Sequence, residues 1–366
     1  MQTMKEYKCP SCGGALAFDA GSQRLKCPYC DSDFDIEVLQ EIAETDATVQ
    51  AGDHMDGWKQ GSCQSWTDAA DSSVRSYVCH SCGGEILADV NTGATTCPFC
   101  GNNVVLNETF TGLLRPDLII PFQLDKKAAK AAFSKHLSGK KLLPKAFKRD
   151  AHIDEIKGIY VPFWLYNADV DGAVKYSATK VRSWSTSEYH YTETSFYEIY
   201  REGAVAFQNI PVDGSSKMPD DLMDSLEPFD LTAAVDFNPA YFAGYLADKY
   251  DVTAQDDLPR INNRVKHSTE DAFSGTITGF YQSVSVRDSH IDLKNGNARY
   301  ALLPVWLLNT TWKGEKYLFA MNGQTGKFVG NLPMDQKLYR KYWLLSFLAS
   351  IPVGVIIAYI VRFFIG

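Results

Sequence analysis

Eight cysteines in two matched sets constrain this chain more than any other feature. Cys9, Cys12, Cys27 and Cys30 form one set, and Cys79, Cys82, Cys97 and Cys100 repeat it 70 positions later. Each set reads C-x2-C, fourteen residues, C-x2-C. The flanks repeat too: Tyr7-Lys8-Cys9-Pro10-Ser11-Cys12-Gly13-Gly14 returns as Tyr77-Val78-Cys79-His80-Ser81-Cys82-Gly83-Gly84, and Cys27-Pro28-Tyr29-Cys30 as Cys97-Pro98-Phe99-Cys100. Two residues between cysteines let one tight turn offer both sulfurs to a single ion, and two such turns complete a tetrahedral four-thiolate site with zinc–sulfur bonds of about 2.3 Å. Gly13, Gly83 and Gly101 follow a knuckle, where a left-handed backbone is expected. Asp31 takes that place in the remaining knuckle and tolerates the same conformation. The arms between knuckles are short enough to be hairpins, so the pattern predicts two small β zinc ribbons, each holding one structural Zn2+ ion. With all four positions filled by cysteine, neither site leaves a coordination position open for catalysis. Disulfides are the alternative; C-x2-C pairs and the lack of a secretory signal ahead of them favour metal. Iron also suits four thiolates.

A chain of 366 residues is long enough for two or three domains. The ninth cysteine, Cys63, lies between Trp58 and Trp66 and reads as a small packing residue. Metal-binding thiols must stay reduced, which places the ribbons in the cytosol. Residues 1–107 carry six Lys or Arg against fifteen Asp or Glu, a net of −9, and each four-thiolate zinc adds a further formal −2. A nucleic-acid reader needs a basic footprint, and this half of the chain has the opposite sign.

The chain divides into a first ribbon (1–36), an acidic linker (37–74), a second ribbon (75–107), an α+β domain with antiparallel sheets (108–335), a basic juxtamembrane segment (336–343) and one C-terminal transmembrane helix (344–361). Within the linker, 37–44 suits a short acidic helix with Val38, Leu39 and Ile42 on one side, and Trp58 and Trp66 are candidates to pin the rest. In the α+β domain, 117–122 reads as a strand. Asp125 can cap a helix to Leu137 whose apolar side is Ala128, Ala132, Phe133 and Leu137. Residues 158–212 suggest several antiparallel strands. Three helices follow, one opening at Met218-Pro219, one from Asn238-Pro239 to Tyr250 and one over 254–272, before strands return from Thr276 to Val329. A second repeat, 160–167 against 302–309, suggests two similar β units, with Gly172 and Gly314 at the same offset.

Leu344 to Val361 is eighteen residues without a charge, about 27 Å as a helix and just enough to span a bilayer. Tyr342 and Trp343 suit an interfacial belt. Lys337, Arg340 and Lys341 before the span, against Arg362 after it, predict a cytoplasmic N-terminal side.

Catalytic signatures are missing. Met321 to Phe328 lacks the glycine and hydroxyl that a phosphate loop needs, and reads as a hairpin turn. Ser177-Ala178-Thr179-Lys180 has S-x-x-K spacing without companion motifs. His190 sits among strand aromatics, and Asp220-Asp221 and Asp256-Asp257 suit helix N-termini.

Together the two ribbons, Pro121-Phe122, Gly158 to Trp164, Pro211-Val212-Asp213-Gly214, Leu303-Pro304-Val305-Trp306 and Asn322 to Lys327 resemble a bacterial family of TFIIB-type zinc-ribbon-containing membrane proteins, the YdjG-like group, over nearly the whole chain. The resemblance implies a membrane-associated protein encoded near PspA-like and SPFH-domain (flotillin-like) proteins and acting in membrane homeostasis. It supplies no enzymatic residues. The expectation is a non-enzymatic membrane-tethered adaptor at the cell membrane whose cytosolic ribbons dock protein partners, SPFH-domain or PspA-like proteins by resemblance. A nucleic-acid-binding ribbon protein and an enzyme within 108–335 are the alternatives.

Overall fold

Val, Tyr, Thr, Phe and Trp recur through 157–213 and 283–312, and this β-favouring composition builds three strands of 29, 24 and 30 residues. The computed structural model describes residues 8–19, 21–50, 52–61, 74–89, 97–100, 102, 105–107, 114–145, 147, 155–242 and 244–365. Cys63, Trp66 and Gly101 lie outside them. In chain order the elements are β1 (Ala17–Asp19), β2 (Arg24–Lys26), β3 (Asp33–Phe34), α1 (Ile36–Val49), β4 (Trp58–Gln60), β5 (Val74–Val78), β6 (Glu85–Asp89), β7 (Val105–Asn107) and β8 (Leu118–Ile119). Then come α2 (Lys126–Leu137), β9 (Lys157–Ser185), β10 (His190–Asp213), α3 (Asp220–Asp224), β11 (Val235–Asp236), β12 (Leu246–Asp248) and α4 (Leu258–Ser274). The chain closes with β13 (Ser283–Trp312), β14 (Glu315–Asn322), β15 (Phe328–Gly330) and α5 (Gln336–Ile365).

These elements form two compact units, each assembled from separate stretches of chain: Met1–Gly61, Leu165–Ile210 and Gln255–Ala298 in one, Ser62–Trp164, Pro211–Ala254 and Arg299–Gly366 in the other. In the first unit, β1, β2 and β3 make a three-stranded antiparallel sheet of their own. β10 pairs with β9, and β4 runs parallel to β13. Ile261, Val265, Thr269 and Phe273 recur at four-residue intervals and form the buried stripe of α4. Phe273 joins Val174 and Tyr176 in a small core with Ile199, Val205 and Ile277. Glycines inside the long strands mark close approaches. A Cβ on Gly172 would meet Thr269 Cγ2 at 3.0 Å, and one on Gly296 would meet the Trp58 ring at 2.7 Å.

The second unit is a mixed sheet in the order β11-β8-β13-β9-β12-β6-β5-β7, with β14 and β15 continuing from β13 as a meander. β8 is parallel to β13 and β12 is parallel to β9. α2 starts where the Asp125 side chain accepts from Ala128 N at 2.8 Å. It buries Ala129, Phe133 and Leu137 against Trp306, Leu308, Phe319 and Met321.

Several expectations need correction. The sheets are not purely antiparallel, because β9 and β13 take parallel neighbours that arrive by long crossovers. The segment 37–74 is not a plain linker. α1 continues to Val49, and Trp58 anchors β4 by donating to Asn262 Oδ1 at 2.7 Å and meeting Tyr166 edge-on at 5.1 Å. The expected helix over 239–250 is a 3-10 turn at Pro239–Phe242 followed by β12. Its residues Leu246, Ala247 and Asp248 are all buried, as befits a strand flanked on both sides. Ala129, not Ala128, faces the core from α2. In the 142-residue repeat, Gly314 does turn the chain (φ 84°), whereas β9 runs straight through Gly172. The boundary at 107/108 does not separate compact units, because β5, β6 and β7 belong to the same sheet as 108–335. Among the described residues, no helix is long and apolar enough to cross a membrane. α5 runs 30 residues, and the side chains of 353, 356, 358 and 360–366 lie outside the description; the spanning helix expected at 344–361 therefore finds no support there.

Candidate metal centres

The local sequence builds each knuckle by the same hydrogen bonds. Gly13 N donates to Cys9 O at 2.8 Å, Asp31 N to Cys27 O at 3.0 Å and Gly83 N to Cys79 O at 2.7 Å. The donating residue takes a positive φ each time, 74° at Gly13, 55° at Asp31 and 69° at Gly83, as their position after the knuckle requires. Cys9 N to Gly14 O, Cys27 N to Ser32 O, Cys79 N to Gly84 O and Cys97 N to Asn102 O then close all four turns. The second glycine of each Gly-Gly pair has a different job. It lies beneath the knuckle aromatic, so a Cβ on Gly14 would meet Tyr29 at 2.5 Å and one on Gly84 would meet Phe99 at 3.1 Å.

These turns bring each predicted set of four sulfurs together. Cys9, Cys12, Cys27 and Cys30 form one group and Cys79, Cys82, Cys97 and Cys100 the other, the ligand atoms of each lying within 4.8 Å of one another. The sulfurs of Cys9 and Cys30 are 3.6 Å apart, of Cys12 and Cys27 3.4 Å, of Cys79 and Cys100 3.5 Å and of Cys82 and Cys97 3.6 Å. A disulfide would need about 2.05 Å. A tetrahedral ion with metal–sulfur bonds of about 2.3 Å sets its ligands roughly 3.8 Å apart. All eight thiols are free, and both groups fit a four-thiolate metal ion.

The two centres differ in their surroundings. In the first, Cys12 and Cys30 are exposed. Its sheet is steadied by Arg24, which reaches Asp33 at 2.5 Å and Asp35 at 3.0 Å. Cys30 Sγ lies 3.3 Å from Ser32 Oγ, and Ser32 holds the thiol down at about 6. In the second centre Cys79 and Cys97 are buried and Cys82 and Cys100 partly so. β6 pairs with β12 through Ile86 and Asp248, Leu87 and Ala247, Ala88 and Leu246. Lys249 Nζ reaches Glu85 Oε2 at 2.7 Å, and Asn309 Nδ2 donates to Phe99 O. Lys157 stands close enough for the Cys97 and Cys100 thiolates to favour its charge, while burial, the larger effect, lowers its pKa.

The remaining sequence candidates lie apart from these centres. His190 is exposed at the β9–β10 hairpin end, with Nδ1 2.7 Å from Ser185 Oγ, and Lys180 is exposed. Asp221 accepts from Leu222 N at the start of α3, and Asp257 precedes α4. Asn322 is fully buried and builds its own turn: its Oδ1 accepts from Gln324 N and Thr325 N, and its Nδ2 donates to Leu226 O and Pro228 O. That hairpin turn is the one the sequence predicts. Lys175 and Asp248 are buried charges that nothing in the sequence analysis singles out. Lys175, 1% exposed, reaches Asp46 of α1 at 2.5 Å and Glu198 at 3.5 Å. Asp248, fully buried, accepts from the Ser215 hydroxyl. The one signal for either was a charge inside an apolar run, at Ala173-Val174-Lys175-Tyr176 and Leu246-Ala247-Asp248.

Two closed four-cysteine groups on hairpin knuckles, the second carried by a large mixed sheet, define a sheet-rich protein with paired sites that could each bind a metal ion. The chain belongs to the YdjG family. It is 36% identical over 330 residues to "Uncharacterized protein YdjG" of Bacillus subtilis (strain 168), with 90% of each chain covered. No family model matches, and no solved structure matches.

Proposed function

We propose that this chain is a non-enzymatic, zinc-dependent adaptor held at the cytoplasmic face of the cell membrane, and that its first ribbon docks a protein partner. One observation carries the reading. The first ribbon and the start of α1 leave Phe18 (52% exposed), Tyr29 (76%), Ile36 and Val38 open to solvent. Apolar side chains gathered on so small a module suit a partner surface better than solvent. The second ribbon instead spends its strand edge on β12, which suits a structural role. Zinc is the ion that closed four-thiolate ribbons ordinarily hold. The family resemblance points to SPFH-domain or PspA-like proteins as the partner class. The membrane tether rests on the uncharged run 344–361 and on the exposed Trp343, Leu344, Leu345, Phe347, Leu348 and Ile351 of α5.

The test is co-purification with the intact chain from detergent-solubilised membranes, beside a Phe18→Ser/Val38→Ser variant. The variant is expected to keep two zinc ions per chain, measured by elemental analysis, and to lose the partner recovered with the wild type. Undiminished recovery would remove the first ribbon from the docking role.

A further inference from the structure

Among the described residues β10 pairs only with β9. Its other edge therefore offers a row of backbone N–H and C=O groups to an extended chain. Proteins usually blunt such an edge with proline, lysine, a bulge or a short strand. β10 runs 24 residues, and 190–210 contain neither Pro nor Lys. The left-handed residue Asn209 (φ 54°) lies near its far end.

The pairing with β9 fixes which groups face outward. Thr186 N donates to Tyr189 O at 2.8 Å. Ser185 Oγ then meets His190 Nδ1 at 2.7 Å, Trp184 stacks on Tyr191 at 5.5 Å, and Ser183 Oγ meets Thr192 Oγ1 at 3.3 Å. In an antiparallel ladder, alternate residues bond to one side. Odd-numbered residues such as Tyr191, Glu193 and Tyr197 thus turn their backbone groups towards β9, and even-numbered ones such as Thr194, Phe196 and Glu198 turn theirs outward.

The edge is self-complementary in one register. If a second copy pairs antiparallel with the twofold axis at Tyr197, Glu193 of each copy lies opposite Arg201 of the other. Those are non-hydrogen-bonded positions, where facing residues come closest, about 4.5 Å between Cα atoms. The same register sets the two Phe196 rings diagonally across the axis, and Phe196 is 80% exposed in the single chain. Moving the axis to Glu198 sets that carboxylate against itself, and moving it to Phe196 sets Glu193 against Ile199. Arg201 is already steadied by Thr276 Oγ1 at 3.1 Å and Tyr200 O at 2.8 Å.

We propose that the outer edge of β10 joins two copies of this chain, antiparallel about Tyr197, with the Glu193–Arg201 pair made twice. The test is sedimentation of the full chain in detergent across a concentration series. The wild type is expected to dimerise. Glu193→Arg and Arg201→Glu each create two like-charge pairs and should raise the dimer dissociation constant about tenfold, and the combined variant should restore it. Phe196→Pro, which removes an outward N–H, should leave a monomer that still holds two metal ions. A wild type that stays monomeric at every concentration overturns the proposal. So does association that neither single reversal weakens, because it would run through another surface.

Discussion

Gly14 and Gly84 explain why each first knuckle is followed by two glycines. Gly13 and Gly83 supply the left-handed turn, and the second glycine admits the ring of Tyr29 or Phe99. Both requirements are local, so the spacing and flanks of the cysteines announce them. Asp248 is a residue whose role only the fold reveals. Burial, the dominant effect, pushes its carboxyl from the ordinary 3.8 to about 8, and the Ser215 hydroxyl opposes the shift. A raised carboxylate pKa means that the folded state holds a proton which the unfolded chain releases. Stability is therefore full below about 4 and falls as pH rises through about 8. With the metal sites kept saturated, the unfolding temperature of the wild type should decline from pH 6 towards pH 8 and then level off. Asp248→Asn cannot ionise and should flatten that decline, as scanning calorimetry at several pH values would read. An equal slope in the variant would assign the pH dependence elsewhere.

At the level of elements, what was legible and what was not divide along local against distant cause. Asp125 caps α2 and Asn322 builds its turn within a few residues, and both announce themselves in sequence. β12 does not. Asn238-Pro239 is a good helix start, yet Leu246, Ala247 and Asp248 are claimed by β9 on one side and β6 on the other. Long-range pairing overrides local preference here. The composition of 158–212 suggests several strands, whereas the fold runs just two long ones there, and it uses Gly172 of β9 and Gly296 of β13 to admit Thr269 and Trp58. The β6–β12 pairing carries a prediction. The first ribbon closes its own three-stranded sheet, and the second shares the sheet of its unit. Cys79→Ser should therefore lower the main thermal transition of the full chain by several degrees or more, the scale on which loss of a structural metal acts. Cys9→Ser should leave that transition within about 2 °C while releasing one metal ion. Equal shifts would mean that the first ribbon is as deeply integrated as the second.

For the whole molecule, neither compact unit is a continuous stretch of sequence. β9 crosses from one to the other between Trp164 and Leu165, and β13 between Ala298 and Arg299. A reading that proceeds along the chain finds ribbons, domain and tail in series, since nothing local marks a strand that serves two units. The tail carries the last prediction. Lys337, Arg340 and Lys341 precede an uncharged run of eighteen residues and Arg362 follows, an asymmetry that, under the proposed membrane tether, would favour a cytoplasmic side for the preceding residues. Burying one arginine near the middle of such a helix costs about 3 kcal/mol, so two should abolish insertion. The full chain is expected to stay in the membrane fraction through an alkaline carbonate wash. Leu348→Arg/Ile351→Arg should move it to the supernatant with both metal ions still bound, because both side chains are exposed and neither belongs to a four-cysteine group. Release of the wild type by the same wash would reduce the tail to a surface helix and remove the proposed membrane tether.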